Sequence, residues 1–334
     1  MASLASVQAG WDFLQRRLQT SARKLNSKFG LRPSSAPYIS GDSFRAFSQH
    51  VWDETGELTS ENLRRGDVVF CKADLLESFC SRVLRHCDQP IVLLLGNSDV
   101  NFFDVPQGLS AMPVKHSVFA QNLVNHIPNF APLPIGLENR WWQNVGRPQD
   151  FNRTRKRMKP RRFRIMFTFS LNTNKKIRIK ANQLLNLLSV ADDLGRIPAG
   201  AHRQALSRYG FVAAPPGNGY DTHRAWEALY LGCVPIVYDS EFSRDLLRRG
   251  LPVWIVDSFA EIHGFDENSL RARYDKMSAG FDSSFLWLDA WTREILSESN
   301  SLRAGIEPVE ADKDVLSPLE LPMAREHGGT TSEE

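Results

Sequence analysis

Short unbroken apolar runs alternate along this chain with stretches whose apolar residues recur every three or four positions. Val68-Val69-Phe70-Cys71, opened by Gly66-Asp67, has the length of a buried strand. Ile91–Leu95 follows Pro90 as a continuous apolar run, the pattern of a parallel strand covered on both faces, and closes on Gly96-Asn97-Ser98-Asp99. Ser117–Ala120 and Ala131–Ile135 predict two more strands, the second closing on Gly136-Leu137-Glu138-Asn139. Helical spacing joins Phe44, Phe47, Val51 and Trp52 behind a cap at Asp42 or Ser43, and recurs over Leu75–His86. The pattern breaks between Arg140 and Arg164. It resumes with strands at Phe163–Phe169, Gly210–Ala213, Val234–Tyr238 and Val253–Val256, and with helices from Lys175 to about Val190, over Thr222–Leu231 and over Phe285–Leu296. Strands alternating with helices predict an α/β protein with parallel, doubly wound sheets.

The break divides the chain into an α/β domain over 38–150, a basic linker over 151–162 and a second α/β domain over 163–300 that ends on a closing helix. Its 334 residues are enough for two such domains. Residues 1–37 read as an amphipathic helix and a loop. Trp11, Leu14, Leu18 and Leu25 alternate there with Arg16, Arg17, Arg23 and Lys24. Packing on the domain or on a partner is the default for that helix, and peripheral contact with an anionic membrane surface the alternative. The tail, 301–334, turns polar and is expected to be disordered. No apolar run reaches the roughly 20 residues a membrane span needs, so a cytoplasmic protein is expected. Cys71, Cys80, Cys87 and Cys233 fit no metal-ligand spacing and read as reduced, buried thiols.

The stretch that carries chemistry is Phe211–Pro235, which runs strand, glycine-containing turn, helix, glycine stop, strand. Gly217 and Gly219, flanking Asn218, permit positive φ and close backbone approach. Asp221 or Thr222 can cap the helix that follows, whose start then presents free N–H groups and a positive dipole end, a ready anion site. Arg224 lies in the first turn and Glu227 three residues on, nearly on the same face. An arginine fork can neutralise a diphosphate, and a carboxylate one turn deeper can accept both ribose hydroxyls. Either residue alone reads equally as half of an ordinary ion pair on a solvated helix. The ordered combination, Pro-Pro-Gly before and Gly-x-x-Pro after, is the stronger signal.

Pro215-Pro216-Gly217, Asp221-Thr222-His223-Arg224-Ala225-Trp226-Glu227-Ala228-Leu229 and Gly232-Cys233-Val234-Pro235 resemble the donor-binding core of exostosin-like glycosyltransferases. The Thr-His-Arg-x-Trp-Glu-Ala-Leu form is similar to the branch that includes ribitol xylosyltransferase. Ile39-Ser40-Gly41-Asp42-Ser43-Phe44-Arg45, Asn97-Ser98-Asp99 and Pro134–Asn139 are similar to segments of the same branch, so the resemblance spans most of Tyr38–Val256. It implies a GT-B fold, two Rossmann-like domains facing across a cleft, and inverting transfer from a nucleotide-sugar donor, commonly UDP-linked. It also implies Glu227 for the ribose and Arg224 for the diphosphate.

Other residues join on position. Ser170, Asn172 and Asn174 follow the first strand of the second domain, and Arg178 starts the next helix; ligands sit beyond strand carboxyl ends, so this turn should face Gly217–Asp221. The alternative is a capping turn and a solvated basic face. Inverting transfer needs a general base, expected from the first domain. Asp99 leads, with Asp42, His50 and Glu138 also candidates, although Asp99 reads as well as a loop carboxylate. His223 and His126 are expected to orient neighbours. The one Asp-x-Asp match, Asp312-Lys313-Asp314, lies in the tail, so neither metal nor other cofactor is expected. The basic stretch Arg153–Arg164 lacks interleaved aromatics and reads as a solvated linker rather than a nucleic-acid surface. The expected partners are a nucleotide-sugar and a glycan or other hydroxyl acceptor. A non-catalytic carbohydrate- or nucleotide-binding protein on the same fold is the rival reading.

Overall fold

The computed structural model describes residues 32–140, 145–157 and 159–306; the amphipathic helix expected over Met1–Phe29 and the tail beyond residue 306 lie outside them. Among the described residues ten strands form two all-parallel, five-stranded sheets. The first holds β1 (His50–Trp52), β2 (Val68–Lys72), β3 (Val92–Gly96), β4 (Ser117–Ala120) and β5 (Phe130–Pro132) in that order. The second holds β6 (Arg162–Phe167), β7 (Ala191–Asp193), β8 (Tyr209–Ala213), β9 (Val234–Tyr238) and β10 (Trp254–Val256) in the order β10-β9-β8-β6-β7. The double winding expected of both halves is therefore found in the second, where strand order reverses between β6 and β8. In the first, strand order follows chain order without reversal.

The helices are α1 (Gly41–Phe47), α2 (Leu76–Arg82), α3 (Gln107–Ser110), α4 (Pro148–Arg155), α5 (Lys175–Asn186), α6 (Ala199–Leu206), α7 (His223–Tyr230), α8 (Glu241–Arg248), α9 (Glu267–Ser278) and α10 (Leu288–Arg303). Val51 and Trp52, expected to end the first helix, belong instead to β1, because α1 stops at Phe47. Its cap is Ser40, whose side chain accepts from the Ser43 N–H, and not Asp42 or Ser43. β1 and the polar edge β7, Ala191-Asp192-Asp193, are three-residue strands without a continuous apolar run to register.

Alternation along the strands builds the layers. On one face of the first sheet, Val69, Cys71, Leu93 and Leu95 pack with Phe79 and Cys80 of α2. On the other, Val68, Phe70, Val92 and Leu94 share a cluster with Phe44, Trp291, Ile295 and Leu302. The last three lie on α10, which runs seven residues past its expected end at Leu296 and returns to the first sheet. Ser299 Oγ donates to the Gly66 carbonyl at 2.6 Å, and Arg65 Nε donates to that of Leu302 at 2.6 Å. The same cluster continues into the second half through Met166, Val212, Trp226 and Leu229, so one core spans both sheets. The far face of the second sheet buries Ile165, Phe211, Val234 and Trp254 against α5 and α9.

The stretch expected to be a solvated linker begins within α4, and its Phe151 is fully buried against Tyr38 and Tyr230 at 6.2 and 6.3 Å. Further on, Arg161 Nη1 donates to the carbonyls of Leu206 and Tyr209 at 3.1 and 2.8 Å. One apolar anchor and one satisfied arginine turn a basic run into part of the body. All four cysteines are unpaired and buried. Among the described residues no helix is long and apolar enough to cross a membrane.

Candidate functional site

The reversal between β6 and β8 sends their following loops to opposite sides, which opens a crevice at the strands' carboxyl ends. The turn after β6 holds Ser170–Asn174 and the turn after β8 holds Pro215–Gly219. Side chains tie the two turns together. Asn174, in the left-handed conformation at φ 44°, donates its Nδ2 to the Gly217 carbonyl at 3.0 Å. Arg178 donates Nε to the Pro216 carbonyl at 2.9 Å, and Nη1 to the Ser170 carbonyl at 3.1 Å and to Thr173 Oγ1 at 2.5 Å. Its Nη2, beside Gly217, has no hydrogen-bond partner among the described residues.

The first half is stitched to the same turn. Asn122 follows β4 at φ 56°, donates Nδ2 to the Ser98 carbonyl at 3.2 Å and accepts the Asp221 N–H on Oδ1 at 3.0 Å. Asn101 accepts the Tyr220 N–H at 3.0 Å and donates to the Asn218 carbonyl at 2.8 Å, while Asn218 Nδ2 donates to Asp99 Oδ2 at 3.0 Å. Gly217 and Gly219 do not take positive φ. Gly219 answers to close approach instead: a Cβ there would lie 2.4 Å from Asn122 Oδ1. Gly136 meets both demands, with φ at 66° and a would-be Cβ 2.2 Å from the Ile39 carbonyl oxygen. Asp221 does not cap α7, nor does the side chain of Thr222, the residue at the N-cap position. Asp221 accepts the Ile135 N–H at 2.7 Å and the Trp226 indole N–H at 3.0 Å, joining the first half to the core below. Burial pushes its carboxyl up to about 8, against the pull of those bonds.

These contacts border an open cavity of about 460 Å³, within the range of small-molecule sites. The glycine turn contributes Gly217, Asn218 and Gly219, and the start of α7 contributes His223, Arg224 and Glu227. Arg178, His202 and Asp221 also line it from the second half, and Asp99 reaches in from the first. Arg224 donates Nη2 to the Thr168 carbonyl at 3.1 Å, while its buried Nε has no partner. Burial, and then the charge of Arg224, lower Arg178 to about 10. Two guanidinium groups held together away from water are costly unless an anion joins them. Glu227 is buried, and its Oε2 lies 3.1 Å from His202 Nδ1. Burial raises its carboxyl, but His202, His223 and Arg224 outweigh that and hold it below its ordinary value.

Several expected site residues lie elsewhere. Asp42 is fully buried, accepts Asn97 Nδ2 at 3.0 Å and stands 3.9 Å from Arg32. It is held by the turn that follows β3 and does not line the cavity. Glu138 does not line the cavity. Asn172 is exposed, and Ser170 and Asn174 act through the turn while Thr173 occupies the wall. His202 went unread because α6, with mixed composition, has no clear apolar stripe. Asn122 and Asn101 went unread because no motif surrounds them, although Asn122 closes a strand end. Among the described residues no group of three or more His, Cys, Asp or Glu side chains is placed to hold a metal ion.

No protein-family model matches the chain, and no curated protein matches it.

Proposed function

We propose that the chain is a GT-B glycosyltransferase that moves a sugar, with inversion, from a nucleotide-sugar donor to a hydroxyl acceptor in glycan or polysaccharide assembly. The observation that carries this reading is the convergence of Arg178 and Arg224 on one cavity at the strand reversal, beside Gly217–Gly219. The Arg178 Nη2 edge and the start of α7 suit the two phosphates of a diphosphate, each charge-assisted bond contributing about 1.5–3 kcal/mol. Glu227, one turn deeper and fixed by His202, offers its remaining oxygen to ribose hydroxyls. As the bond to the sugar breaks, charge grows on the departing diphosphate, where the two arginines stabilise it without reorganising. The nucleotide is taken as uridine diphosphate on the resemblance of the Asp221–Leu229 motif.

A thermal-shift series with UDP, GDP, CDP and ADP, with and without magnesium, tests the donor site. UDP is expected to raise the melting temperature of the wild-type chain, and Glu227→Ala and Arg178→Ala to reduce that shift. No shift by any of the four at millimolar concentration rejects the reading. Stabilisation by UDP without release of UDP from any UDP-sugar points to the non-catalytic binding protein instead.

A further inference from the structure

His223 is the first residue of α7 and lines the cavity. Its Nδ1 lies 2.8 Å from the carbonyl oxygen of Gly136. A carbonyl only accepts, so Nδ1 carries the proton, and in the neutral ring Nε2 carries the lone pair. Nε2 has no hydrogen-bond partner among the described residues, nor is it one of the buried polar atoms left unpaired. It faces the open cavity. Gly136 is left-handed and bridged to Ser40, with the Leu137 N–H donating to the Ile39 carbonyl at 2.8 Å. The ring is thus fixed in tautomer and orientation by a group from the other half of the molecule.

We propose that His223 is the general base of the transfer, taking the acceptor's proton on Nε2; the proposal rests on the donor-site reading above. The acceptor oxygen forms its bond to the anomeric carbon as its O–H proton passes to Nε2. The bond from that carbon to the diphosphate oxygen breaks, and its electron pair leaves with the diphosphate. The imidazolium keeps its Nδ1–H on Gly136, and the carboxylates of Glu227, on the same helix, and Asp99, across the seam, favour its charge. Burial opposes it and is the largest influence, holding the imidazole below its ordinary value. The ring is therefore neutral and ready at neutral pH. Asp99, the base expected from sequence, is exposed and occupied by Asn218, and its place in the mechanism is beside the imidazolium.

The test uses the full chain and measures UDP released from UDP-glucose, UDP-xylose and UDP-N-acetylglucosamine, with water or added oligosaccharides as acceptor. His223→Asn keeps an amide donor near the Nδ1 position but removes Nε2. It is expected to lose turnover by roughly 100-fold or more while UDP still raises its melting temperature. The acid limb of the wild-type pH profile, set below the ordinary imidazole value of about 6.5, should vanish with it. His223→Ala should regain part of its turnover in added imidazole, which a purely structural histidine would not. Turnover of His223→Asn within threefold of wild type, or no imidazole rescue of a folded His223→Ala, overturns the proposal. A wild-type chain that binds UDP yet releases none from any of the three sugars fails the parent reading, and the proposal falls with it.

Discussion

The two sheets carry equal numbers of parallel strands, yet their carboxyl ends differ. In the first, sequential order leaves no reversal, and the ends of β3 and β4 are closed by Asn97 and Asn122, both left-handed and both spent on hydrogen bonds within the protein. In the second, the reversal between β6 and β8 parts the loops, and the polar groups there are left facing a cavity. Strand order, more than composition, decides which half opens its strand ends onto this cavity. The closed ends are still useful, because they form the wall against which the open ones are set.

The shared core offers the harshest way to break this contrast. Trp226 is fully buried beneath α7 and donates its indole N–H to Asp221. Trp226→Ala should cost about 3–5 kcal/mol. Because the cluster around it reaches Phe70 and Ile295, urea unfolding should shift as one transition. A transition that splits, with the first half unmoved, would show the halves to be independent.

Acid should act on the closed half first. His116, at the amino end of β4, is lowered to about 4 by burial. Between that value and its ordinary 6.5 the unfolded chain binds a proton that the folded chain does not, so stability is full above about 6.5 and falls with pH, by on the order of 3 kcal/mol. Asp221 has the opposite slope over the same window, its folded carboxyl being raised to about 8. The difference between wild type and His116→Gln, followed by melting temperature from pH 7 to pH 4, isolates the histidine. Parallel curves would reject its burial as a source of acid sensitivity.

The smallest effect sharpens the seam. Asn122→Gly keeps the left-handed backbone and removes only the side-chain bonds to Ser98 and Asp221, and should cost about 1–2 kcal/mol. Asn122→Ala should cost roughly 1 kcal/mol more, for the left-handed conformation. Equal denaturant midpoints for the two variants would reject that backbone account.

Strands of four or more apolar residues were legible because burial on both faces writes itself as a continuous run, as in β3 and β9. β1, β7 and α6 were not, since a short polar or mixed segment holds its place by tertiary contact rather than by pattern. The same division runs through the site. Arg224, Glu227 and Gly217 stood out within one local motif. His202, Asn101 and Asn122 come from separate segments, and only the folded chain brings the first to the cavity and the other two to the turn that borders it. His223 lay inside the motif, but its tautomer depends on a carbonyl 87 positions away in sequence.

The return of α10 to the first sheet also sets a timetable. Residues Val68, Phe70, Val92 and Leu94 leave the ribosome long before Trp291, Ile295 and Leu302, which cover them. At about 5–20 residues per second, the intervening two hundred residues take roughly 10–40 s to synthesise. For that interval a nascent chain displays an apolar face that has Phe44 but lacks the cover of α10. A chaperone that shields it, or a pause that prolongs it, would govern the yield of active protein without touching any residue of the cavity.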